Sequence, residues 1–376
     1  TLHISAVSFM SYVGFAFLNP SFPLALESIG FSQTQIGLVA SLGGASLVCA
    51  SLLGTRILRR FRWQTGLAIT LVAGVLGHLG FALFTLLTTN GQIGNGSGFL
   101  GLTLSRGTVT FAFALTQIVI LHALAEQSSG RGYAGITAAN ALGIVFGPVL
   151  GGILANTYLL LPIYSVFAFS LFALVLCLPW LAMKTAADHT APEPAKDAPW
   201  TLLLLPAAFA FIVMTCLASM QLAMPLALSD ALSLPPEPSA RLAGYGLLWG
   251  GIGLVLSNIA LMVRPNLSPE KILPVATFIA AIGFIVLAQV SDFYGFCVAL
   301  FIVGLGIGPA IPAYTRLATE RHGKEASAAI VLVQSLGLMI GPYFGVLLLG
   351  QGLLFEVNAA LLILSNLLLI GHRKAR

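Results

Sequence analysis

Apolar runs, each roughly long enough at about 20 residues to cross a ~30 Å hydrocarbon core, recur along the whole chain. They lie near residues 4–26, 35–57, 64–88, 98–124, 131–157, 161–183, 200–228, 242–263, 272–290, 293–318, 325–349 and 352–371, with short polar intervals between them. None alternates apolar and polar residues as the strands of a closed barrel would, and lipid tolerates no other spanning backbone than a helix. Charged residues make up only 8% of the chain, against about 25% in soluble domains. The expected fold class is therefore an all-α polytopic membrane protein with twelve transmembrane helices.

The charge distribution orients these helices. Arg56, Arg59, Arg60 and Arg62 follow the second span, Arg131 the fourth, and Lys184 and Lys196 the sixth. Arg264 and Lys271 follow the eighth span, Arg316, Arg321 and Lys324 the tenth, and Arg373, Lys374 and Arg376 the twelfth. Fifteen of the seventeen basic residues thus share one side, leaving Arg106 within a helix and Arg241 opposite. The positive-inside rule places that side, with both termini, in the cytoplasm of what reads as a bacterial inner membrane. Topology and anionic lipid headgroups account for the pI of 9.2 without any nucleic-acid partner. Cys49, Cys177, Cys216 and Cys297 fall in separate apolar spans and read as small packing residues.

The chain repeats itself. "GIVFGPVLGGIL" at 143–154 and "GLMIGPYFGVLL" at 337–348 share the pattern G-x-x-x-G-P-x-x-G-x-x-L, and the same offset of 194 residues lays Asn140 over Gln334. "NPSFPLAL" at 19–26 similarly lies over "QLAMPLAL" at 221–228, pairing Asn19 with Gln221. The one long polar run, "KTAADHTAPEPAKDAP" at 184–199, reads as a cytoplasmic linker between two pseudo-symmetric six-helix bundles, residues 1–183 and 200–376. Parallel repeats of this kind suit a transporter whose site lies between the halves near the midplane. Gly143, Gly147 and Gly151 share one face of the fifth span, as Gly337, Gly341 and Gly345 do in the eleventh, and small residues at that spacing let helix backbones approach. Pro148 and Pro342 add a bend. Rocking of the two halves and a static tight contact both fit such a stripe.

With these motifs the chain resembles the major facilitator superfamily, in particular its twelve-helix drug:proton antiporter branch. "GIVFGPVLGG" matches that branch's fifth-helix signature through Gly143, Gly147, Pro148, Gly151 and Gly152. "LTLSRG" at 102–107 resembles the fourth-helix motif whose arginine, here Arg106, is implicated in proton coupling. "GTRILRRFRW" resembles the loop between the second and third helices through Gly54, Arg59 and Arg62, but Leu58 and Phe61 replace the usual aspartate and glycine. "NPSFP" is similar to the proline-rich end of the first helix through Pro20 and Pro23. The resemblance implies export of drugs or metabolites by rocking-bundle alternating access in a monomer, powered by the proton gradient and needing no cofactor or metal.

Several residues qualify for transport. An ionisable group within a membrane costs about 2.5–3.5 kcal/mol on insertion scales, so Arg106 demands a reason. Thr110, Phe113 and Gln117 lie on its helical face, and the stripe is expected to line a water-filled cavity. The pairs Asn19/Gln221 and Asn140/Gln334 could hydrogen-bond substrate or bridge helices. Tyr245 and Trp249, one turn apart, could stack on substrate or pack. No span carries a central carboxylate; Glu27, Asp230 and Asp292 at the presumed periplasmic mouth and His78 and His122 are the proton-carrier candidates. An arginine without a central acid favours anionic or neutral amphiphiles, including siderophore-like ones. An importer or facilitator of the same fold and a lipid flippase are the competing readings. Scattered histidines, with neither H-E-x-x-H nor G-x-S-x-G, argue against an enzyme.

Overall fold

A computed structural model describes residues 2–58, 63–127, 130–181, 200–263, 267–322 and 325–374. The linker at 184–199 and the basic cluster with Arg59 and Arg62 lie outside the described residues. The described residues form fourteen helices and no strand. In chain order these are α1 (Leu2–Phe17), α2 (Phe22–Ser28), α3 (Gln33–Leu58), α4 (Trp63–Thr89), α5 (Asn95–Gln127), α6 (Gly130–Thr157), α7 (Leu161–Ser165), α8 (Phe167–Leu181), α9 (Trp200–Leu232), α10 (Pro236–Val263), α11 (Pro269–Leu287), α12 (Phe293–His322), α13 (Glu325–Leu349) and α14 (Leu354–Lys374).

Ten of the spans are single stretches long and apolar enough to cross a membrane, the fifth of these joining α7 to α8. An eleventh is the pair α1 and α2, bent by 41° where Asn19-Pro20 interrupts the helix, and α14 supplies the last with a shorter apolar stretch. The twelve expected spans are thus present.

The first eight elements pack among themselves, α1 on α6 and α8 and α4 on α5 and α8, and the remainder likewise, α9 on α13, α10 on α12 and α11 on α14. The two sets meet through α3 on α13 and α6 on α10. Buried side chains follow the same division. One core, from Leu203 through Phe284 and Tyr314 to Leu362, belongs wholly to the second set, and a smaller one, from Ile4 through Leu67 to Cys177, to the first. A third joins them: Phe22, Leu24 and Leu26 of α2 pack with Leu222 and Leu226 of α9, Ala240 of α10 and Val346 of α13. The molecule is therefore shut at the end where α2 lies.

Glycine placement explains which contacts are intimate. Gly143, Gly147 and Gly151 lay the backbone of α6 on Phe9, Val13 and Phe17 of α1. Gly337, Gly341 and Gly345 lay α13 on Phe211, Thr215 and Ser219 of α9. Both stripes therefore bind helices within a set. Contacts between sets use other glycines: a Cβ on Gly44 would lie 2.6 Å from the Met339 Cα, and one on Gly152 would lie 2.8 Å from the Ala240 carbonyl oxygen.

Turns at the shut end are built alike. After α2 the amide of Phe31 donates to the Leu26 carbonyl and that of Gly30 to Glu27, with Gly30 at φ 92°. After α9 the amides of Leu234 and Ser233 donate to the Ser229 and Asp230 carbonyls, with Ser233 at φ 50°. Both are left-handed helix stops, one made with glycine and one without.

Candidate functional site

Where the two sets meet, a cavity with about 630 Å³ of empty space, counting its open side, lies against the shut end. Both sets furnish its wall: Arg106 and Thr110 come from α5, Asn19 from the break between α1 and α2, and Gln221 from α9. Phe15, Phe22, Leu47, Leu222 and Pro342 make the rest largely apolar.

Arg106 is positioned by the contact of α5 with α3. The Thr110 hydroxyl donates to the Gly43 carbonyl at 2.6 Å, and a Cβ on Gly43 would lie 2.9 Å from the Arg106 Cγ, so the arginine stem crosses α3 where there is no side chain. The guanidinium carbon lies 5.6 Å from the centre of the Phe15 ring and 5.5 Å from that of Phe22. Phe15 in turn stacks on Phe113 at 4.3 Å, and Phe22 on Phe81 at 5.8 Å. A desolvated cation over an aromatic face gains about 2 kcal/mol or more. The rings leave the donors unmatched: Nε and Nη1 of Arg106 are buried and make no hydrogen bond. Thr110 is already committed to Gly43, so the amides of Asn19 and Gln221 are the polar groups in the wall for which no partner is recorded.

The remaining candidates are distributed elsewhere. Gln117 turns to α1, accepting a hydrogen bond from Ser8 at 3.3 Å, and Ser8 also donates to Asn140. Gln334 donates to the hydroxyl of the fully buried Tyr314 at 2.7 Å. In both sets these polar side chains bridge helices. Trp249 is 46% exposed with its edge to Phe301, and neither it nor Tyr245 lines the Arg106 cavity. Glu27, Asp230 and Asp292 are exposed at helix ends, Glu27 accepting from Gln33 and Asp292 capping α12 at the Gly295 amide. The side chain of His122 lies outside the described residues.

His78 is buried in α4 and faces a second, smaller cavity with Ser11, Thr70, Thr116 and Ser170. Its Nδ1 is 3.0 Å from the Ser170 hydroxyl and its Nε2 has no partner. Phe15 belongs to the walls of both cavities and stands between them. Among the described residues no three His, Cys, Asp or Glu side chains come together as a metal site.

Periodicity along α5 pointed to Arg106 and Thr110, and the repeat to Asn19 and Gln221. Phe15 and Phe22 went unremarked. Their spacing of seven around Asn19-Pro20 was the available signal, but on a broken helix it does not by itself imply a shared face.

The family model described as Major Facilitator Superfamily matches residues 4–342. Quinolone resistance protein NorA of Staphylococcus aureus (strain COL) is 22% identical over 368 residues, which cover 93% of this chain and 88% of NorA. In structure the chain is similar to a mutant of the nucleoside transporter NupG, with a TM-score of 0.76 at 12% identity over 98% of each chain. It is also similar to a bacterial homologue of the iron transporter ferroportin, at 16% identity over 98% of this chain and 97% of that one. The TM-score there is 0.74 for the inward-facing state. For the outward-facing state with soaked iron it is 0.67, at 15% identity over 98% of each chain.

Proposed function

Because the chain belongs to the Major Facilitator Superfamily, and is thus a membrane transporter and not an enzyme, we propose that it exports amphiphilic small molecules, drugs or metabolites, across a bacterial inner membrane at the expense of the proton gradient. The observation that carries this reading is the cavity built from both sets of helices, beside the end where α2 packs across them. Alternating access needs a site between two bodies that can close on either side of it. Here the bodies are the bundles 1–183 and 200–376, joined by the linker 184–199, and they rock within a single monomer.

Two observations support the direction, and a third the orientation. The sequence 143–152 carries the glycine-proline signature associated with export. The relative NorA is named for drug resistance. The basic residues gather at the end opposite α2, so the positive-inside rule turns the shut end outward and opens the cavity to the cytoplasm. Of the groups able to carry a proton, His78 lies behind Phe15 within the bundle, whereas Glu27 and Asp230 lie at the shut mouth.

Uptake of candidate compounds into inverted membrane vesicles with an acidic interior tests the proposal. Accumulation that collapses on adding a protonophore is the expected result. Movement indifferent to the pH gradient would favour a facilitator, and loss of preloaded substrate from the vesicles, driven by protons leaving with it, would favour an importer.

A further inference from the structure

We propose that the Arg106 cavity is an organic-anion site, which takes a singly charged carboxylate carried on a flat apolar body. The inference deepens the export reading by naming its substrate class, and it rests on that reading only for the assumption that this cavity is the transported site.

The argument begins with the charge that has no counter-charge. Arg106 presents a guanidinium whose Nε and Nη1 are enclosed by protein and yet donate to nothing. Placing such a group within a membrane is costly, and leaving its donors unmatched adds the desolvation penalty of each. The aromatic faces offset part of this cost, but the wall supplies neither a counter-charge nor an acceptor for the buried donors. Among the described residues no Asp or Glu lines the cavity, the Thr110 hydroxyl is spent on Gly43, and the guanidinium lies against the faces of Phe15 and Phe22. Those rings hold the cation in place without using its hydrogens. A carboxylate entering the cavity brings the missing counter-charge and oxygens that accept from the planar guanidinium.

The rest of the wall defines the remainder of the ligand. Phe15, Phe22, Leu222 and Pro342 offer flat and apolar surface. Asn19 and Gln221, from opposite sets of helices, can each give or take a hydrogen bond from a polar substituent. One cation favours a monoanion, since a second negative charge would enter without a partner. A primary or quaternary amine is disfavoured, meeting Arg106 with no acid to offset it. The empty space is limited to about 630 Å³ even counting its open side, so the ligand is a small amphiphile and not a whole diacyl lipid.

The test uses the full chain in phosphatidylcholine nanodiscs, with no gradient, and three probes sharing one body: 1-naphthoate, 1-naphthamide and 1-naphthylmethylammonium. Calorimetry should show naphthoate binding at least about tenfold more tightly than the amide, a difference of ~1.4 kcal/mol, with the ammonium weakest. Arg106→Gln should abolish the distinction between acid and amide, and Arg106→Lys should keep its sign with reduced affinity. Equal binding of acid and amide, preference for the ammonium, or no binding of naphthoate at millimolar concentration would each overturn the proposal. So would complete loss of naphthoate binding on replacing part of the lipid with phosphatidylglycerol, which would make an anionic headgroup the occupant. The probe series on the unmodified protein decides the matter even where a variant fails to fold. Because no gradient is imposed, an anion preference that persists while vesicle export proves proton-independent would remove only the coupling.

Discussion

Gly152 of α6 and Gly244 of α10 meet backbone to backbone. A Cβ added to Gly244 would stand 3.3 Å from the Gly152 Cα and 2.5 Å from the Pro148 carbonyl oxygen. These residues belong to opposite sets of helices, so Gly244→Ala acts on the contact that shuts one end. We expect the substitution to leave the melting temperature nearly unchanged and to bias the protein toward the state open at that end. A cysteine replacing Leu222, in a chain whose four native cysteines are removed, should then label rapidly, whereas the same cysteine beside Gly244 should stay protected. Equal labelling in both backgrounds would show that the seam does not govern access.

Gly151 has a different consequence. Its missing side chain is filled by the Phe17 carbonyl within one set, and backbone cannot yield as a flexible side chain can. Gly151→Ala is expected to lower stability by about 1–3 kcal/mol, as overpacking does, without altering the labelling at position 222. Thermal unfolding in detergent distinguishes the two glycines.

Arg106→Ala removes the cation and its stem together, while the helix contact through Thr110 and Gly43 persists. Transport should fall to background with normal expression and a folded elution profile. Phe22→Leu keeps the charge and deletes one of its two aromatic faces, so a partial loss is expected, worth about 0.5–2 kcal/mol in apparent affinity. Retained gradient-driven transport by the alanine variant would remove Arg106 from the mechanism.

Gln334 is engaged by Tyr314. Its loss in Gln334→Ala orphans a buried hydroxyl, and interhelical hydrogen bonds in membranes average about 0.6 kcal/mol. A modest fall in melting temperature with unchanged naphthoate affinity is expected. A large change in affinity with no change in stability would instead make Gln334 a substrate contact.

Ser233 holds a left-handed turn after α9 where the matching turn after α2 has Gly30. A side chain there costs roughly 1 kcal/mol relative to glycine. Since Ser233 is exposed, Ser233→Gly relieves that strain and removes little packing. A higher melting temperature checks this; a lower one would show that the serine side chain contributes more than the turn costs.

Much of this architecture was legible in the residues, because lipid reduces the permitted backbones to one. Runs such as 64–88 and 272–290 had to be helices, and their length fixed them as spans. The site was less legible. Arg106 announced itself as a charge where none belongs, and Thr110 followed one helical turn behind it. Gln117 obeys the same period, yet it turns to Ser8 because α1 crosses α5 there, and no period within α5 encodes that crossing. The glycine stripes show the same division. Their spacing announced a close contact, but which helix would receive it depends on topology: α1 and α9 took the stripes, and the seam between sets fell to Gly44, Gly152 and Gly244.

That allocation has a mechanical consequence. Helices joined carbonyl to Cα over three successive turns, as α6 is to α1, cannot slide without unpacking, so each pair behaves as one stiff lever. The seam between levers meets backbone to backbone at Gly44, Gly152 and Gly244, and side chains interlock across it where α2 packs on α9 and α13. Such a joint separates along its whole edge at once and re-forms in the same register, which favours two discrete positions over a continuum between them.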